Sequence, residues 1–372
     1  MKRKDFLSTV VPAAILGLAG IECKRRGNDG PAVHLNKSVN WRLVSSFPRG
    51  LDTIFGASEK LSQRVRELSG GKFDIRVFPA GEIVPGLQVM DAVQQGTVQM
   101  GHTASYYYTG KNAALAFETC VPFGLTARQQ MAWMQEGGGR ALIQSVLDQF
   151  QIVYLPGGNT GTQMGGWFRR EINGLQDLKG LKMRIPGPGG QVMSRLGVNV
   201  QILSGGDIYP ALERGAIDAT EWVGPYDDEK LGFYRVAKHY YTPGWWEPGA
   251  SLAFYINRKE WNALPSLYKS ILEVAAKEAS MDMLIKYDAK NPEALNRLLA
   301  KGVKIHDYST EILDAAKNTA FDIYEEESAK DPLYAKIYKN WKKFRDDSIQ
   351  WFGVSENLYS DFVRDALKKS RD

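Results

Sequence analysis

Residues Asp218–Pro225 have the sequence DATEWVGP. A helical run that ends at a glycine, Ile208–Gly215, precedes them, and a short apolar step joins the two. This pattern predicts a strand that stops abruptly, with Glu221 and Trp222 at its carboxyl end. Open α/β sheets bind their ligands at the carboxyl ends of strands. The alternative is an ordinary strand end with an exposed glutamate and a packed tryptophan.

The composition is that of an ordinary globular protein. The chain has 372 residues, of which 44% are hydrophobic and 24% charged, and this length suits about two domains with sizeable cores. The net charge of +5 is spread along the chain, with no basic tract interleaved with aromatic residues. A nucleic-acid partner is therefore not expected.

The first residues have the features of an export signal. A basic start, Met1–Leu7, leads into the apolar run Val10–Gly20, which is too short to span a bilayer but suits the core of a signal peptide. The basic pair resembles a twin-arginine signal in which lysine replaces the second arginine. We expect residues 1–23 to be an export signal and 24–38 a polar tether, with the folded part starting near Val39. A disordered N-terminus is the alternative.

Cysteine usage limits the covalent options. Cys23 follows the apolar run and is a candidate for lipidation, although Glu22 stands where a small residue is usual. Without Cys23 the exported chain keeps only Cys120, so no intrachain disulfide is expected and the core must supply the stability. We expect the protein in the periplasm, anchored to a membrane only if Cys23 is lipidated.

Strands and helices alternate over the first two thirds of the chain. Strict apolar alternation predicts a strand at Lys72–Phe78, and helical spacing predicts a helix at Ile54–Leu68. This alternation is typical of a mainly parallel sheet with helices on both faces. Beyond Ile256 the expected helices are Pro265–Tyr287, Pro292–Leu299, Glu311–Phe344 and Glu356–Lys369. The last is amphipathic and packs either on its own domain or on a second subunit.

One internal similarity links two parts of the chain. Residues 92–99 and 211–218 each combine a short helix, a glycine stop and a buried strand. The first copy leads to Tyr106 and Tyr107, and the second leads to Glu221. If both units belong to one sheet, these side chains share one wall of a cleft.

Signatures of catalysis are missing from the sequence. It contains no Walker loop and no HExxH, CxxC or GxSxG motif. The four histidines, His34, His102, His239 and His306, show no metal-ligand spacing, and Cys120 has no evident base. We therefore do not expect an enzyme.

A set of binding residues remains. Arg184 carries a planar guanidinium that can make two parallel bonds to a carboxylate, and Gln163 can donate or accept beside it. Glu221 and Glu247 are both adjacent to tryptophan. Two carboxylates repel an anionic ligand unless a cation lies between them, and oxygen ligands suit a hard cation. The simpler interpretations are a surface ion pair for Arg184 and core packing for the tryptophans.

Several short motifs together resemble one protein family. They are GHTASYY (Gly101–Tyr107), VPFGL (Val121–Leu125), GTQMGGWF (Gly161–Phe168), KMRIPG (Lys182–Gly187), EWVGPYDD (Glu221–Asp228) and GWWE (Gly244–Glu247). From about Val39 to the C-terminal helices, the sequence resembles the DctP-type solute-binding proteins of TRAP transporters. Within that family it resembles the branch that binds 2-oxo acids such as pyruvate together with a cation.

The resemblance implies an α/β fold with two lobes, a ligand cleft between them and a helical C-terminal extension. It places lobe 1 at about 39–127 and 207–252, and lobe 2 at about 128–206 and 253–345. A C-terminal helix is expected at 355–370. Some members of the family exchange such a helix to form a homodimer, so a homodimer through this helix is one expectation.

The resemblance also assigns roles to the site residues. The arginine matching Arg184 binds the substrate carboxylate, and the glutamine matching Gln163 contacts the substrate, the cation or both. Tyr106 and Tyr107 are candidates for the pocket walls. A Na⁺ or Ca²⁺ ion bridges substrate and protein. Its expected protein ligands are Glu221, Glu247 and the backbone carbonyl of Trp222.

The implied function is that of a periplasmic protein that captures a small 2-oxo monocarboxylate with a cation and delivers it to a membrane permease. One alternative is a relative that binds a 2-hydroxy acid such as lactate, a dicarboxylate or a sugar acid. Another is a metal-dependent enzyme acting on a 2-oxo acid. A cation-independent site gains little from both Glu221 and Glu247, and no general base is evident. A structural or adhesive role leaves the Arg, Glu and Trp set unexplained.

Overall fold

The computed structural model describes residues 37–369. The strands in this part are β1 Val39–Ser45, β2 Phe73–Phe78, β3 Met100–Thr103, β4 Ile152–Asn159, β5 Trp167–Phe168, β6 Lys182–Arg184, β7 Asn199–Gln201, β8 Ala219–Thr220, β9 His239–Thr242, β10 Ser251–Asn257 and β11 Lys304–Asp307. The helices are α1 Gly56–Leu68, α2 Val89–Gln94, α3 Ala116–Thr119, α4 Ala127–Gln135, α5 Gly139–Leu147, α6 Gly187–Arg195, α7 Gly205–Glu213, α8 Pro225–Leu231, α9 Arg258–Ala263, α10 Ser266–Ala300, α11 Thr310–Lys330, α12 Pro332–Phe352 and α13 Leu358–Lys369. The expected export signal (1–23), Cys23 and most of the tether lie outside the described residues.

The first sheet has the strand order β2-β1-β3-β10-β4. Strand β1 runs parallel to β2 and β3, with Leu43 opposite Val77 on one side and Met100 on the other. Helix α1 makes the connection from β1 to β2. It packs on β2 and α10, and its residues Leu61 and Val65 are buried, as the helical spacing predicts.

The second sheet has the strand order β11-β9-β5-β8-β6-β7. Strands β6, β7 and β8 are parallel neighbours, with Arg184 opposite Thr220 across β6 and β8. Strand β11 runs parallel to β9 and forms one edge of the sheet. Two sheets with helices around them form the expected α/β architecture.

Both sheets are mixed, where the sequence pattern predicts mainly parallel strands. Strand β10 runs antiparallel to β3 and β4, and β5 runs antiparallel to β8 and β9. Each of these two strands follows a segment that crosses from one sheet to the other, residues 160–166 before β5 and residues 243–250 before β10. The neighbouring strands end where the chain crosses, whereas β5 and β10 start there, so they run in the opposite direction.

The division of strands between the two sheets differs from the expected lobe boundaries. Strand β4, expected in lobe 2, belongs to the first sheet, and β8, expected in lobe 1, belongs to the second. The two similar units, 92–99 and 211–218, therefore lead into different sheets rather than one. Two short crossings follow β4 and β9, at points where the local pattern gives no signal, and a third, longer crossing leads from β10 through α10 to β11. We propose that the lobes follow the two sheets.

The two crossing segments contact each other directly. Gly244 N donates to Gln163 O at 3.1 Å, and Gln163 N donates to Glu247 O at 3.2 Å. A Cβ atom at position 244 would lie 2.4 Å from Gln163 O, so this approach requires glycine. The contact holds Gln163 and Glu247 side by side where the chain passes between the sheets.

Two helix boundaries differ from the sequence pattern. The expected helix break before Pro292 is wrong, because α10 is one continuous helix of 35 residues that includes Pro292. The proline removes one backbone hydrogen bond, and packing on α1, β4 and α8 supports the helix. The expected helix Glu311–Phe344 is instead interrupted at Asp331, whose side chain caps α12 by accepting from Leu333 N at 2.8 Å.

The C-terminal helix α13 forms as expected but buries none of its residues. Tyr359 is 71% exposed and Phe362 is 75% exposed, so packing on the body of its own chain does not cover this helix. Within residues 37–369, no helix has both the length and the apolar character needed to cross a membrane.

Candidate functional site

Arg184 is buried at the end of β6 and faces a carboxylate. Because β6 pairs with β8, Glu221 follows directly after the residue opposite Arg184. The Nη1 atom forms an ion pair with Glu221 and donates to the Glu221 carbonyl at 3.2 Å, while Nε donates to the Leu203 carbonyl at 3.1 Å. The Nη2 atom is buried and has no hydrogen-bond partner among the described residues. One edge of the guanidinium is therefore available to a ligand.

Asp228 fixes the loop that carries Glu221. Its Oδ1 accepts from the backbone nitrogens of Val223 and Gly224, at 3.3 and 3.2 Å. Its Oδ2 accepts from Trp167 Nε1 at 2.8 Å and from the Tyr240 hydroxyl at 2.6 Å. Burial raises the pKa of Asp228 to about 7, and hydrogen bonds from these donors, which favour the ionised carboxylate, offset this only in part. The loop after β8 is thus held from both its own helix and the neighbouring strands.

Gln163 and Glu247 come from the two crossing segments. Gln163 Nε2 donates to Thr160 Oγ1 at 3.1 Å, and its buried Oε1 has no partner among the described residues. Glu247 is buried, and its Oε2 accepts from the Tyr106 hydroxyl at 3.4 Å. Glu221 Oε2 is likewise buried without a partner. Buried oxygen atoms that lack hydrogen bonds thus come from the first crossing segment and from the loop after β8, while the second crossing segment contributes the buried Glu247 carboxylate.

A small cavity lies among these groups. The space open to the centre of a water-sized sphere is only about 10 Å³, room for roughly one water molecule, so the side chains are closed around it. Its lining residues are Phe47, Ile54, Tyr106, Tyr107, Thr160, Gln163, Arg184, Trp222, Val223, Ala250 and Leu252. The Arg184 guanidinium carbon lies 5.3 Å from the centre of the Trp222 ring, so the ring limits how that side chain can move. The cavity combines apolar walls with one cation and one amide.

The electrostatics of the site favour an additional positive charge. Burial raises the pKa of Glu221, and the nearby Arg184 offsets this only in part. Burial, followed by the charge of Glu221, raises the pKa of Glu247 well above its usual range. One arginine therefore faces two buried carboxylates, and their repulsion is relieved by a proton or by a bound cation. Because the donor atoms here are oxygens, a hard cation such as Na⁺ or Ca²⁺ fits.

The structure brings the predicted site residues into one region. Gln163, Arg184, Tyr106, Tyr107 and Trp222 line the cavity, and Glu221 and Glu247 contact it through Arg184 and Tyr106. The tyrosines follow a strand of the first sheet and Glu221 follows a strand of the second, so the expected shared edge of one sheet does not form.

Sequence reasoning missed two features of this region. Phe47 and Ile54 supply apolar lining from the loop after β1, where no motif marks them. Asp228 lies inside the motif EWVGPYDD, and its role follows only from the four donors that surround it. The local sequence indicates this role only by placing an acidic residue shortly after a Gly-Pro turn.

A match between the sequence and a protein-family model identifies the family of this chain. A family model described as DctP, bacterial extracellular solute-binding protein, family 7, matches residues 44–331. The chain belongs to this family. The resemblance identified from the short motifs is thereby confirmed.

One curated relative matches this chain along almost its whole length. The monocarboxylate 2-oxoacid-binding periplasmic protein of Nostoc sp. is 53% identical over 363 residues, which cover 98% of this chain and 99% of the relative. Such coverage leaves no large segment of either protein unmatched.

Two solved structures confirm the two-lobed binding-protein fold. A TRAP transporter solute-binding protein from Bordetella bronchiseptica matches with a TM-score of 0.89 and 49% identity, over 90% of this chain and 100% of that one. It is a mixed-occupancy dimer with copurified calcium and picolinate in one active site and an apo second site. The TRAP periplasmic solute-binding protein from Pseudoalteromonas atlantica, with bound sodium and pyruvate, has a TM-score of 0.85 and 40% identity, over 87% of this chain and 99% of that one.

Proposed function

We propose that this DctP-family protein captures a small 2-oxo monocarboxylate together with Na⁺ or Ca²⁺ and delivers it to the membrane permease of a TRAP transporter. The observation that carries the proposal is the set of buried polar atoms without partners at one small cavity. These atoms are Arg184 Nη2, Gln163 Oε1 and Glu221 Oε2. Buried polar groups normally have hydrogen-bond partners, so a site that lacks them is one prepared for a ligand.

Arg184 is the residue that would bind the ligand carboxylate. Its free Nη2 edge lies at the cavity, and a guanidinium bonds a carboxylate more strongly than a neutral donor does. The 2-oxo monocarboxylates bound to relatives have one carboxylate, which matches the one arginine among the lining residues. A dicarboxylate or a sugar acid would need further donors and a larger cavity. We therefore favour a short monocarboxylate.

Glu221, Glu247 and the Trp222 carbonyl are the groups that would hold the cation. A hard cation would supply the positive charge that two buried carboxylates and an anionic ligand require. Glu221 has an unpartnered Oε2 for this purpose, and Asp228 fixes the loop that presents it. Gln163 also lines the cavity, and its buried Oε1 has no partner among the described residues, so it is available to the ligand or to the cation.

The direct pairing of Arg184 with Glu221 suggests how binding neutralises the site. In the structure, Glu221 balances Arg184. A ligand carboxylate that turns the guanidinium toward itself leaves Glu221 with surplus negative charge, which favours cation binding. Ligand and cation should therefore bind cooperatively.

Export, the absence of catalysis and dimerisation belong to the same proposal. Related proteins carry names that place them in the periplasm, and residues 1–23 have the pattern of an export signal. No nucleophile with an activating base is present at the cavity, so transport without turnover is favoured. A homodimer through α13 is supported by its exposed Tyr359 and Phe362.

The experiment is a thermal unfolding assay on protein that has been stripped of ligand by unfolding and refolding. Pyruvate, longer 2-oxo acids, lactate and succinate are each added with and without Na⁺ or Ca²⁺. A ligand at about 100 times its dissociation constant should add about 2.7 kcal/mol of stability. Arg184→Met should abolish the shift, whereas Arg195→Met should retain it, because Arg195 is an exposed residue paired with Glu326. If no carboxylate shifts the transition in the presence of either cation, the proposal fails.

A further inference from the structure

Three potential metal ligands meet at one edge of the second sheet. His239 Nδ1 lies 2.9 Å from His306 Nε2 and 3.8 Å from Glu171 Oε1. The three ligand atoms all lie within 4.8 Å of one another. None of these residues lines the cavity described above. We name this group the sheet-edge cluster.

Strand pairing creates the sheet-edge cluster. Strands β9 and β11 are parallel neighbours in which Lys304 lies opposite His239 and His306 lies opposite Tyr241. Residues two apart in a strand point to the same face, so both imidazoles project from one side of the sheet. Strand β5 pairs Phe168 with His239, which brings Glu171, three residues later, to the same place. The spacing of the histidines along the chain gives no sign of this arrangement, because strand pairing alone brings His239 and His306 together.

The surroundings hold the imidazoles and leave the carboxylate accessible. The Tyr241 ring stacks on the His306 ring, with centres 5.0 Å apart and planes 19° apart. The Tyr241 hydroxyl is in turn held by the backbone nitrogen of Ile172, at 2.6 Å. The Glu171 side chain is 48% exposed, so an ion can enter from solvent. The two rings are thus set on rigid strands, and the third ligand can adjust.

We propose that the sheet-edge cluster binds a divalent transition-metal ion, represented by Zn²⁺, through His239 Nδ1, His306 Nε2 and one oxygen of Glu171. Tetrahedral zinc with bonds of about 2.0–2.1 Å separates its ligand atoms by about 3.4 Å. The two ring nitrogens would move apart by roughly half an ångström, while the Glu171 oxygen would approach His239 Nδ1 by about 0.4 Å and His306 Nε2 by at most about 1.4 Å. Water completes the fourth position on the exposed side.

The ligand chemistry selects the class of ion. Imidazole nitrogens suit Zn²⁺ and its neighbours, whereas Ca²⁺ prefers a shell of oxygens. In the metal-free pair one ring donates a hydrogen to the other. That hydrogen moves to the second nitrogen of the same ring when the metal binds, so both imidazoles remain neutral. Lys304 also faces the cluster and weakens its affinity for cations.

Metal binding here would join three separate segments of the second sheet. Strand β11 pairs only with β9 among the described residues, so this edge relies on one ladder. A metal shared by β11, β9 and the segment after β5 adds a cross-link that the unfolded chain lacks. We therefore expect Zn²⁺ to raise the thermal transition temperature without any carboxylate ligand.

The test is calorimetric titration of Zn²⁺ into the full-length, metal-free protein prepared without a polyhistidine tag. We expect one strong site, and no displacement of Zn²⁺ by excess Ca²⁺. Substitution of any one ligand should weaken Zn²⁺ binding by at least about tenfold, because loss of a residue that merely hydrogen-bonds to a metal ligand already has an effect of this size. The three variants are His306→Gln, His239→Gln and Glu171→Gln. Glu171→Gln changes an exposed side chain, so it stays informative if a histidine variant is unstable.

The controls separate this site from other acidic groups. Asp307→Asn removes the same charge as Glu171→Gln from an exposed residue adjacent to His306, whose side chain points to the opposite face. It should leave Zn²⁺ affinity unchanged. Glu247→Gln should also retain the strong Zn²⁺ site, because it alters the cavity and not the sheet edge. Absence of strong Zn²⁺ binding, or equal binding by the wild type and the three ligand variants, overturns the proposal.

Discussion

Arg184 and Glu221 form an ion pair in which each side chain exposes only 1% of its surface. The cost of removing two charges from water often exceeds their attraction, so such a pair is a weak source of stability. Here each partner also keeps one polar atom without a hydrogen bond. The relationship is better explained as a binding site that holds its own counter-ion until ligand and cation arrive.

Breaking this pair on one side should be costly. Arg184→Met leaves Glu221 buried without its counter-ion and is expected to lower the free energy of unfolding by about 3–5 kcal/mol. The double variant Arg184→Met/Glu221→Gln removes both charges and should recover most of the loss. Urea unfolding followed by tryptophan fluorescence measures both values. If Arg184→Met is as stable as the wild type, the two charges of the ion pair are not coupled as stated.

Substitution of Glu247 should remove the cation dependence of carboxylate binding. Glu247→Gln keeps the shape of the side chain but removes one of two charges expected to hold the cation. In the wild type, Ca²⁺ or Na⁺ should strengthen pyruvate binding; in the variant, the effect should fall by at least about tenfold, or about 1.4 kcal/mol. Titration calorimetry at fixed pyruvate provides the measurement. Equal cation dependence in both proteins would assign the cation to other residues.

Asp228 should act on binding through the loop that it fixes. Asp228→Asn replaces one carboxylate oxygen, which accepts two hydrogen bonds, with an amide NH₂ group that cannot accept them. The free energy of unfolding should therefore fall by about 1–3 kcal/mol. Displacement of the Glu221 loop should also weaken ligand binding. The matched control is Asp227→Asn, since Asp227 is equally buried but accepts from the hydroxyls of Thr53 and Tyr287, both at 2.6 Å. A loss of affinity as large in the control would mean that the effect is not specific to the loop.

Glu118 should make stability depend on pH. Burial raises the pKa of Glu118 from 4.5 to about 7, and hydrogen bonds from groups such as Ser105 offset this only in part. Because the folded state binds this proton more tightly than the unfolded state, stability falls as the pH rises from about 4.5 to about 7. The total effect is about 3 kcal/mol.

The variant Glu118→Gln stays neutral across this range, so comparison with it isolates the effect. The stability of Glu118→Gln relative to the wild type should increase by about 3 kcal/mol between about pH 4.5 and pH 8. Groups that titrate in both proteins cancel in this difference. Urea unfolding at a series of pH values gives the result, and a pH-independent difference would show that Glu118 is not protonated in the folded state.

The exposed apolar face of α13 should determine the oligomeric state. Leu358 and Phe362 are 62% and 75% exposed and lie one helical turn apart. We expect the wild type to be a dimer and Leu358→Glu/Phe362→Glu to be a monomer by light scattering after size exclusion. Pyruvate binding with a cation should persist in that variant, since neither residue lines the cavity. The pair Ser360→Glu/Arg364→Glu, at exposed positions on the opposite face of the same helix, is the matched control and should stay dimeric.

The local sequence determined much of this protein. Alternating strands and helices, the motifs around Gln163, Arg184, Glu221 and Glu247, and the amphipathic C-terminal helix are all short-range patterns. Such patterns predict elements and family because they depend on neighbours along the chain. The family match over residues 44–331 agrees with what those motifs indicated.

Tertiary structure decided which of these residues meet. Arg184 contacts Glu221 because β6 pairs with β8, and His239 contacts His306 because β9 pairs with β11, across 37 and 67 positions of sequence. No periodicity within either segment encodes these pairings, since strand partners are selected by the packing of whole sheets. The same holds for the crossings after β4 and β9, which place Gln163 beside Glu247 and set the boundary between the sheets.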